Sequence, residues 1–208
     1  KDYNGFWKRF DVNHNFPEMA GRKVVAWIEF EDDNDPVLEV QVGLSAVSTE
    51  GAVNNFIEDN RTENQKVPIK SFKELYQLTK KTWNDKLGIY KAKGTPDQLA
   101  MFYTSLYHTM INPSIYQDAD GKYRGVDHVI HQNTDVRTNY TIFSLWDTYR
   151  AEHPLLNIID PKSASDMVES MVNHAEQSVH QILPIWSHAG NENWCMIGYH
   201  GVSAVADN

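Results

Sequence analysis

The sequence predicts an α+β protein of more than one domain, because the spacing of its apolar residues changes along the chain. Between residues 23 and 44 apolar residues alternate or cluster as in strands, whereas after about residue 48 they recur at helical spacing. Strands therefore come first and a run of helices follows. This order is typical of α+β folds or of separate domains, and it places a boundary between about residues 60 and 95.

Two segments carry the strand prediction. Lys23–Phe30 is a short apolar run, and the acidic turn Glu31–Pro36 follows it. In Val37–Leu44 every second residue is apolar, as in a half-buried antiparallel strand. We interpret the acidic turn as a solvated loop and not as a cation site.

Helix signals dominate from residue 48 onward. Ser48–Glu50 opens a short helix, and residues 71–87 carry apolar side chains near helical spacing. Thr95–Gln98 gives a full start signal, with threonine as N-cap, proline at the first helical position and glutamine at the third. A stretch rich in turn residues spans 113–141, and helical patterns then return at about 145–159, 163–180 and 194–208.

These helices are too few to close a helical barrel, so their apolar stripes need cover from another part of the protein. The chain also begins at Lys1 inside a segment that reads as structured, and it stops at Asn208 without a closing turn. We therefore expect it to be part of a longer protein. The lack of a signal peptide is then uninformative about export.

Composition argues against several classes of function. The net charge of -9 argues against a general affinity for nucleic acid or anionic lipid. No stretch approaches the ~18 consecutive apolar residues of a membrane span, and the single cysteine, Cys195, excludes an intramolecular disulfide. Aromatic residues make up 12% of the chain. Most of them fit a core of large side chains, although sugar-binding sites also pack rings against pyranose faces.

The first candidate site is the segment Ser144–Arg150, in which Trp146 and Asp147 lie where a helix is predicted to begin. In one interpretation Asp147 is an N-cap with Arg150 as its i,i+3 partner. In the other, Trp146 offers a ring face to a sugar and Asp147 accepts hydrogen bonds from two neighbouring hydroxyls. Spacing alone favours the structural interpretation.

The second candidate is Ala189–Cys195, a predicted loop that leads into a helix and carries Glu192 and Trp194. Gly190 permits a close approach of the backbone to a ligand. Loops on a helical scaffold often carry binding groups. The spacing leaves a structural and a ligand-binding interpretation equally open.

Several strings, in order along the chain, resemble family 92 of the glycoside hydrolases. The resemblance covers most of the chain from about residue 40 and is most specific in the last two strings. The strings are Ser45–Asn55, Trp83–Leu87, Phe102–Met110, Asp118–Gly125, Phe143–Ile159 and Gly190–His200.

This resemblance implies a fold and an activity. Residues 1–60 would be the end of an N-terminal β-sandwich, 61–95 a helical linker, and 96–208 the first part of an (α/α)6 barrel that is incomplete in this chain. The implied enzyme is an exo-acting, inverting, calcium-dependent α-mannosidase, periplasmic or secreted by a bacterium. Its substrate would be a mannose-containing oligosaccharide such as an N-glycan.

By position, Trp146 and Asp147 match the family pair that lines the subsite for the terminal mannose. Glu192, Trp194 and His200 match a second family motif, and we group them with the substrate-binding residues. The family's general acid, general base and calcium ligands are expected beyond residue 208, so the sequence assigns no catalytic or metal-binding residue here. The remainder of the same protein is the expected partner. Two alternatives stay open: a non-catalytic carbohydrate-binding module and a structural fragment.

Overall fold

The computed structural model describes residues 5–8, 11–13, 24–30, 38, 40–60, 70–133 and 137–208. The chain divides into two compact units, Lys1–Gln41 and Val42–Asn208. Strands and helices occur together, which confirms the α+β class. The division into sandwich, linker and barrel stays a prediction.

The first unit contains a three-stranded antiparallel sheet. Its strands are β1 (Gly5–Lys8), β2 (Asp11–Asn13) and β3 (Val24–Trp27), in the order β2-β1-β3. The predicted strand at 23–30 is therefore confirmed as β3.

The strand predicted over Val37–Leu44 is wrong where the structure describes it. Leu38 and residues 40–44 have no strand conformation. Leu38, Val40, Val42 and Leu44 are all exposed, by 54% to 77%. Alternation gives a segment one apolar face but does not provide a neighbouring strand, and without a neighbour the backbone cannot form a ladder. The acidic turn Glu31–Pro36 lies outside the described residues.

The second unit contains seven described helices and seven short strands. The helices are α1 (Thr49–Asn60), α2 (Phe72–Leu87), α3 (Pro96–His108), α4 (Leu145–Thr148), α5 (Glu152–Ile159), α6 (Pro161–Gln177) and α7 (Gly201–Asp207). The strands are β4 (Ser114–Ile115), β5 (Lys122–Arg124), β6 (Ile130–Gln132), β7 (Tyr140–Thr141), β8 (Phe143–Ser144), β9 (Trp186–His188) and β10 (Asn191–Glu192). All pairings are antiparallel: β4 with β7, β5 with β6, and β9 between β8 and β10.

The helix starts follow their capping residues. Thr95 Oγ1 accepts the N–H of Gln98, and the Gln98 side chain accepts the N–H of Thr95 at 2.9 Å, which forms a complete capping box. Ser71 and Glu74 form the same box at the start of α2. Because a capping box satisfies two backbone donors that would otherwise be unpaired, both predicted starts are confirmed.

Two helix predictions need correction. The pattern at 145–159 is split into α4 and α5, because the backbone leaves the helical region at Ala151 (φ -149°, ψ -33°). The helix predicted from about residue 194 begins only at Gly201. Trp194 (φ 54°) and Gly198 (φ 88°) have left-handed backbone conformations, which a right-handed helix cannot contain.

The core of the second unit lies where α5, α6, α7 and β8 meet, and it consists of Phe143, Leu145, Leu156, Ala164, Met167, Met171 and Ala204. By contrast, α2 buries none of its residues. Large apolar side chains remain exposed on its surface and elsewhere, including Phe72 (76%) and Ile158 (79%). These faces contribute little to stability without cover, because apolar area stabilises only when it is removed from water.

The buried carboxylate of Asp118, in the loop before β5, forms hydrogen bonds with the segment around the start of α1. Asp118, only 5% exposed, accepts hydrogen bonds from Ser45 Oγ at 2.6 Å and Asn55 Nδ2 at 2.8 Å. Asn55 Oδ1 in turn accepts the N–H of Ala119 at 2.7 Å. These contacts link two of the strings that carry the family resemblance, Ser45–Asn55 and Asp118–Gly125. A Cβ on Gly51 would lie 2.2 Å from Asp118 Oδ2, so the close approach requires glycine.

Gly51→Ala should therefore destabilise the protein. Replacing glycine by alanine inside a helix normally stabilises by about 1 kcal/mol. Here the added methyl group would displace a hydrogen-bonded, buried carboxylate, and overpacking of this kind costs about 1–3 kcal/mol. Thermal unfolding of the full-length protein measures the change. Asn54→Ala, at an exposed position of the same helix, is the control and should have little effect. A Gly51→Ala protein that melts at a higher temperature would contradict the contact.

Candidate functional site

Trp146 and Asp147 lie in α4, the short helix that directly follows β8. Asp147 is exposed and is the third residue of the helix, whereas the N-cap position is taken by Ser144. The interpretation of Asp147 as an N-cap is therefore wrong. Among the described residues Arg150 does not pair with Asp147. Its guanidinium lies instead over the Tyr149 ring, 5.1 Å from the ring centre. The Asp147 carboxylate is free for another role.

One oxygen of this carboxylate is held by a neighbouring hydroxyl. Ser144 Oγ donates to Asp147 Oδ2 at 2.6 Å, and the indole Nε1–H of Trp186 donates to Ser144 Oγ at 2.8 Å. Ser144 and Trp186 are directly opposite each other in the β8–β9 pair. Asp147 Oδ1 has no hydrogen-bond donor among the described residues. The site therefore presents an oriented carboxylate with one oxygen open.

Glu192 has a different environment. Its carboxylate accepts three backbone N–H groups, those of Ile185 at 2.8 Å, Trp186 at 2.9 Å and Trp194 at 3.1 Å. The side chain is only 9% exposed, and His174 Nε2 lies 3.7 Å from Oε2. Burial lowers the pKa of His174, and the negative charge of Glu192 partly opposes this shift. This geometry favours a role for Glu192 in holding the β9–β10 hairpin.

The predicted loop over Ala189–Cys195 is this hairpin and not a lead into a helix. Ala189 and Gly190 form its turn with positive φ values of 47° and 73°. A two-residue turn with this conformation matches the twist of antiparallel strands. The close approach that Gly190 allows is to the chain itself, because a Cβ there would lie 2.9 Å from the Arg124 carbonyl oxygen.

Trp194 and His200 follow the hairpin. Trp194 is 49% exposed, and its ring and the His180 ring are perpendicular, with their centres 5.3 Å apart. His200 stacks on Tyr149, with ring centres 4.1 Å apart and an angle of 8° between the planes. Because Tyr149 directly follows α4, this stack brings His200 beside the helix that carries Asp147.

The sheet β8-β9-β10 thus joins the two predicted site segments, which lie far apart in the sequence. Trp146 and Asp147 extend from β8, Glu192 lies in β10, and Trp194 is held to Glu192 through its backbone. A cavity of ≈ 30 Å³ lies elsewhere, between β5, α6 and the hairpin turn, and none of the five predicted residues lines it within the described ranges.

Ser144 and Trp186 are the residues that sequence reasoning missed. Ser144 belongs to the string that drew attention to Asp147, but its partner lies 42 positions away. Only the strand pairing brings them together. The sequence offers one local signal for Ser144, its position three residues before Asp147. The same position is also typical of a helix N-cap, so the signal does not indicate a contact with the carboxylate.

Two neighbouring residues at the start of α5 have strongly shifted acidities. Burial, together with the negative charge of Asp147, raises the pKa of Glu152 to about 7. Burial lowers the pKa of His153 to about 4, and its Nε2 has no hydrogen-bond partner. Near neutral pH Glu152 is therefore about half protonated and His153 is neutral. The start of α5 therefore disfavours both a negative charge on Glu152 and a positive charge on His153.

His153 should make the protein less stable in mild acid. Its folded-state pKa is below the usual 6.5, so the unfolded chain binds the extra proton first, and stability falls as pH drops from about 6.5 to 4. Glu152 has the opposite effect on the pH dependence of stability. Its folded-state pKa is raised, so its stabilising contribution is present at low pH and is lost as pH rises from 4.5 to about 7. His153→Leu isolates the histidine contribution. We expect the difference in stability between wild type and variant to change by up to about 3 kcal/mol over this range. A parallel pH dependence of both proteins would contradict the assignment.

The described residues do not offer a metal site. Within the described residues 5–8, 11–13, 24–30, 38, 40–60, 70–133 and 137–208 no group of three or more His, Cys, Asp and Glu side chains is close enough to hold an ion. His128 and His131 lie three residues apart in the sequence, and His131 Nε2 lies 2.9 Å from Asp127 Oδ2. These residues therefore provide no carboxylate cluster of the kind that calcium binds. No described helix is long and apolar enough to cross a bilayer.

Comparisons with known proteins identify the family to which the chain belongs. Residues 58–208 match the model of the glycosyl hydrolase family 92 catalytic domain. The structure resembles a family GH92 α-mannosidase from Bacteroides thetaiotaomicron, solved in complex with mannoimidazole, with 45% identity and a TM-score of 0.70 over 78% of this chain and 20% of that one. It also resembles a family GH92 inverting mannosidase from the same organism, with 25% identity and a TM-score of 0.68 over 97% of this chain and 26% of that one. A comparison with curated proteins finds no match.

The matched region is part of a glycosyl hydrolase catalytic domain. The chain belongs to glycosyl hydrolase family 92. It spans about a fifth to a quarter of the length of the solved structures that it matches.

Proposed function

We propose that the full-length protein is an exo-acting, inverting α-mannosidase that removes terminal α-mannose from oligosaccharides such as N-glycans. In this proposal Trp146 and Asp147 bind the terminal sugar. The observation that supports it most is the exposed Asp147 carboxylate, which is oriented through one oxygen and open at the other. The two mannosidases in the comparison provide the substrate class.

The chemistry of sugar recognition fits these two side chains. A carboxylate has about four acceptor positions, so Asp147 can accept from Ser144 and still bind two sugar hydroxyls. Trp146 is partly buried, so part of its surface remains accessible to a sugar. Trp194 and His200 remain candidates for further sugar contacts. Glu192, with its oxygens occupied by backbone donors, is better placed to support them.

Inverting hydrolysis needs two more carboxyl groups. One donates a proton to the leaving oxygen and the other activates water, with the two separated by about 6.5–9.5 Å. We propose that both come from residues beyond these 208, together with the oxygen ligands of a calcium ion. Calcium would act as a Lewis acid at the sugar hydroxyls. The residues of this chain bind and orient the sugar.

We also propose that the chain forms the end of a β-sandwich, a helical linker and the first part of an (α/α)6 barrel, in a periplasmic or secreted bacterial enzyme. The remainder of the same protein would cover the apolar faces of the helices. The exposed side chains of Phe72 and Ile158 support this part of the proposal. The small share of each matched structure that this chain covers, 20% and 26%, supports it as well.

The 208-residue chain by itself should therefore not hydrolyse an aryl α-mannoside, with or without calcium, whereas the full-length protein should. The isolated chain should also bind a hydrophobic dye and melt without a sharp transition, because its uncovered apolar faces stay in contact with water. Turnover by the isolated chain would show that the catalytic carboxylates lie within it. Sugar binding by an inactive full-length protein would favour the non-catalytic alternative.

A further inference from the structure

The hydrogen bonds around Ser144 have a fixed direction. An indole N–H can only donate, so Ser144 Oγ must accept from Trp186 Nε1. A serine hydroxyl has a single proton, and the carboxylate of Asp147 can only accept it. The proton of Ser144 therefore points at Asp147 Oδ2, and the indole prevents the hydroxyl from turning round.

Helix capping does not explain this serine. Ser144 occupies the N-cap position of α4, yet its side chain accepts no hydrogen bond from a backbone N–H of the first turn. An N-cap serine would accept from a backbone N–H two or three residues later. Its Oγ is directed to two side chains instead, Trp186 and Asp147.

Trp186 is itself held in place on both sides. Its backbone pairs with Ser144 across β8 and β9, and its backbone N–H donates to the largely buried Glu192 carboxylate at 2.9 Å. The chain of contacts thus runs from Glu192 through the Trp186 backbone and indole to Ser144 and Asp147. Each link is shorter than 3 Å, and three of the four residues lie in one sheet.

We propose that Ser144 and Trp186 are positioning residues that orient the Asp147 carboxylate for sugar binding. This inference rests on the proposed role of Asp147 and extends it to two residues outside the sugar contacts. An exposed aspartate otherwise samples several rotamers, and sugar binding would have to restrict them. The Ser144 hydroxyl fixes one oxygen in advance and leaves Oδ1 open for substrate, which is preorganisation of the binding group.

A double-mutant cycle in the full-length protein tests the proposal with an aryl α-mannoside as substrate. Ser144→Ala should lower kcat/KM by about tenfold, because the Asp147 carboxylate loses the hydroxyl that orients it. The melting temperature should also fall, because the Trp186 indole N–H loses its acceptor. Ser144→Thr, which keeps the hydroxyl, should restore most of the rate. Trp186→Phe keeps an aromatic ring without the N–H and should lower the rate in the same direction.

The decisive variant combines Ser144→Ala with Asp147→Asn. If Ser144 acts through Asp147, the double variant should be no slower than Asp147→Asn alone, because interacting residues are not additive. Additive losses would assign Ser144 a separate structural role and overturn the inference, as would an impaired Ser144→Thr variant or a wild-type rate for Ser144→Ala. A wild-type rate for Asp147→Asn would instead overturn the proposed role of Asp147 itself.

Discussion

Asp147→Asn in the full-length protein is expected to lower kcat/KM for an aryl α-mannoside by at least about tenfold. A carboxylate that accepts two sugar hydroxyls makes charge-assisted hydrogen bonds, each with a net contribution of roughly 1.5–3 kcal/mol. An amide has one acceptor oxygen and cannot replace both. The remaining oxygen can still accept from Ser144. The fold should therefore persist, and the melting temperature should not change.

Asp97→Asn is the matched control. Asp97 is also an exposed aspartate in the first turn of a helix, but it lies in α3, outside the sheet that joins the site. The same chemical change there should leave the rate unaltered. If Asp147→Asn lowered both the rate and the melting temperature, Asp147 would be a structural residue. A rate equal to that of the control would exclude Asp147 from the sugar site.

Glu192→Gln should loosen the β9–β10 hairpin. Both carboxylate oxygens accept backbone N–H groups, from Trp186 and Trp194 on Oε1 and from Ile185 on Oε2. Whichever way a glutamine amide turns, its NH2 group faces at least one of these donors. A partly buried donor left without an acceptor costs about 1–3 kcal/mol, so amide hydrogens in 185–194 should exchange roughly five- to 150-fold faster.

Glu176→Gln provides the control for this change. Glu176 is exposed on α6, so the same substitution removes a charge without disturbing a buried network. Hydrogen exchange in 185–194 should then match that of wild type. Because Trp186 is part of the hairpin, Glu192→Gln should also reduce activity. Unchanged exchange with reduced activity would instead assign Glu192 to direct sugar contact.

Local signals were sufficient wherever the structure is set by neighbouring residues. Thr95 and Gln98 define the start of α3, since a capping box needs only four consecutive positions. The same kind of reasoning failed at Val37–Leu44, because a strand depends on a partner that the pattern does not identify. It also failed before Gly201, where the left-handed conformation of Trp194 interrupts an otherwise apolar helical spacing.

The candidate site shows the same division. Trp146 and Asp147 are adjacent in the sequence, and their string was recognisable by itself. The support for Asp147 comes from Trp186, across a strand pair that no local pattern reveals. Glu192 was predicted to be a substrate-binding residue, and a sequence does not show that three backbone N–H groups converge on its carboxylate.

A crystal structure of the full-length protein with mannoimidazole, the ligand bound by the related α-mannosidase, would test the central claim most directly. We expect Asp147 carboxylate oxygens to lie within hydrogen-bond distance of the sugar-ring hydroxyls, about 2.5–3.0 Å. Ser144 should keep its hydrogen bond to Oδ2, and the ring of Trp146 should border the ligand. A ligand bound elsewhere, with the Asp147 carboxylate exposed to solvent and beyond about 3.5 Å of every sugar hydroxyl, would contradict the account.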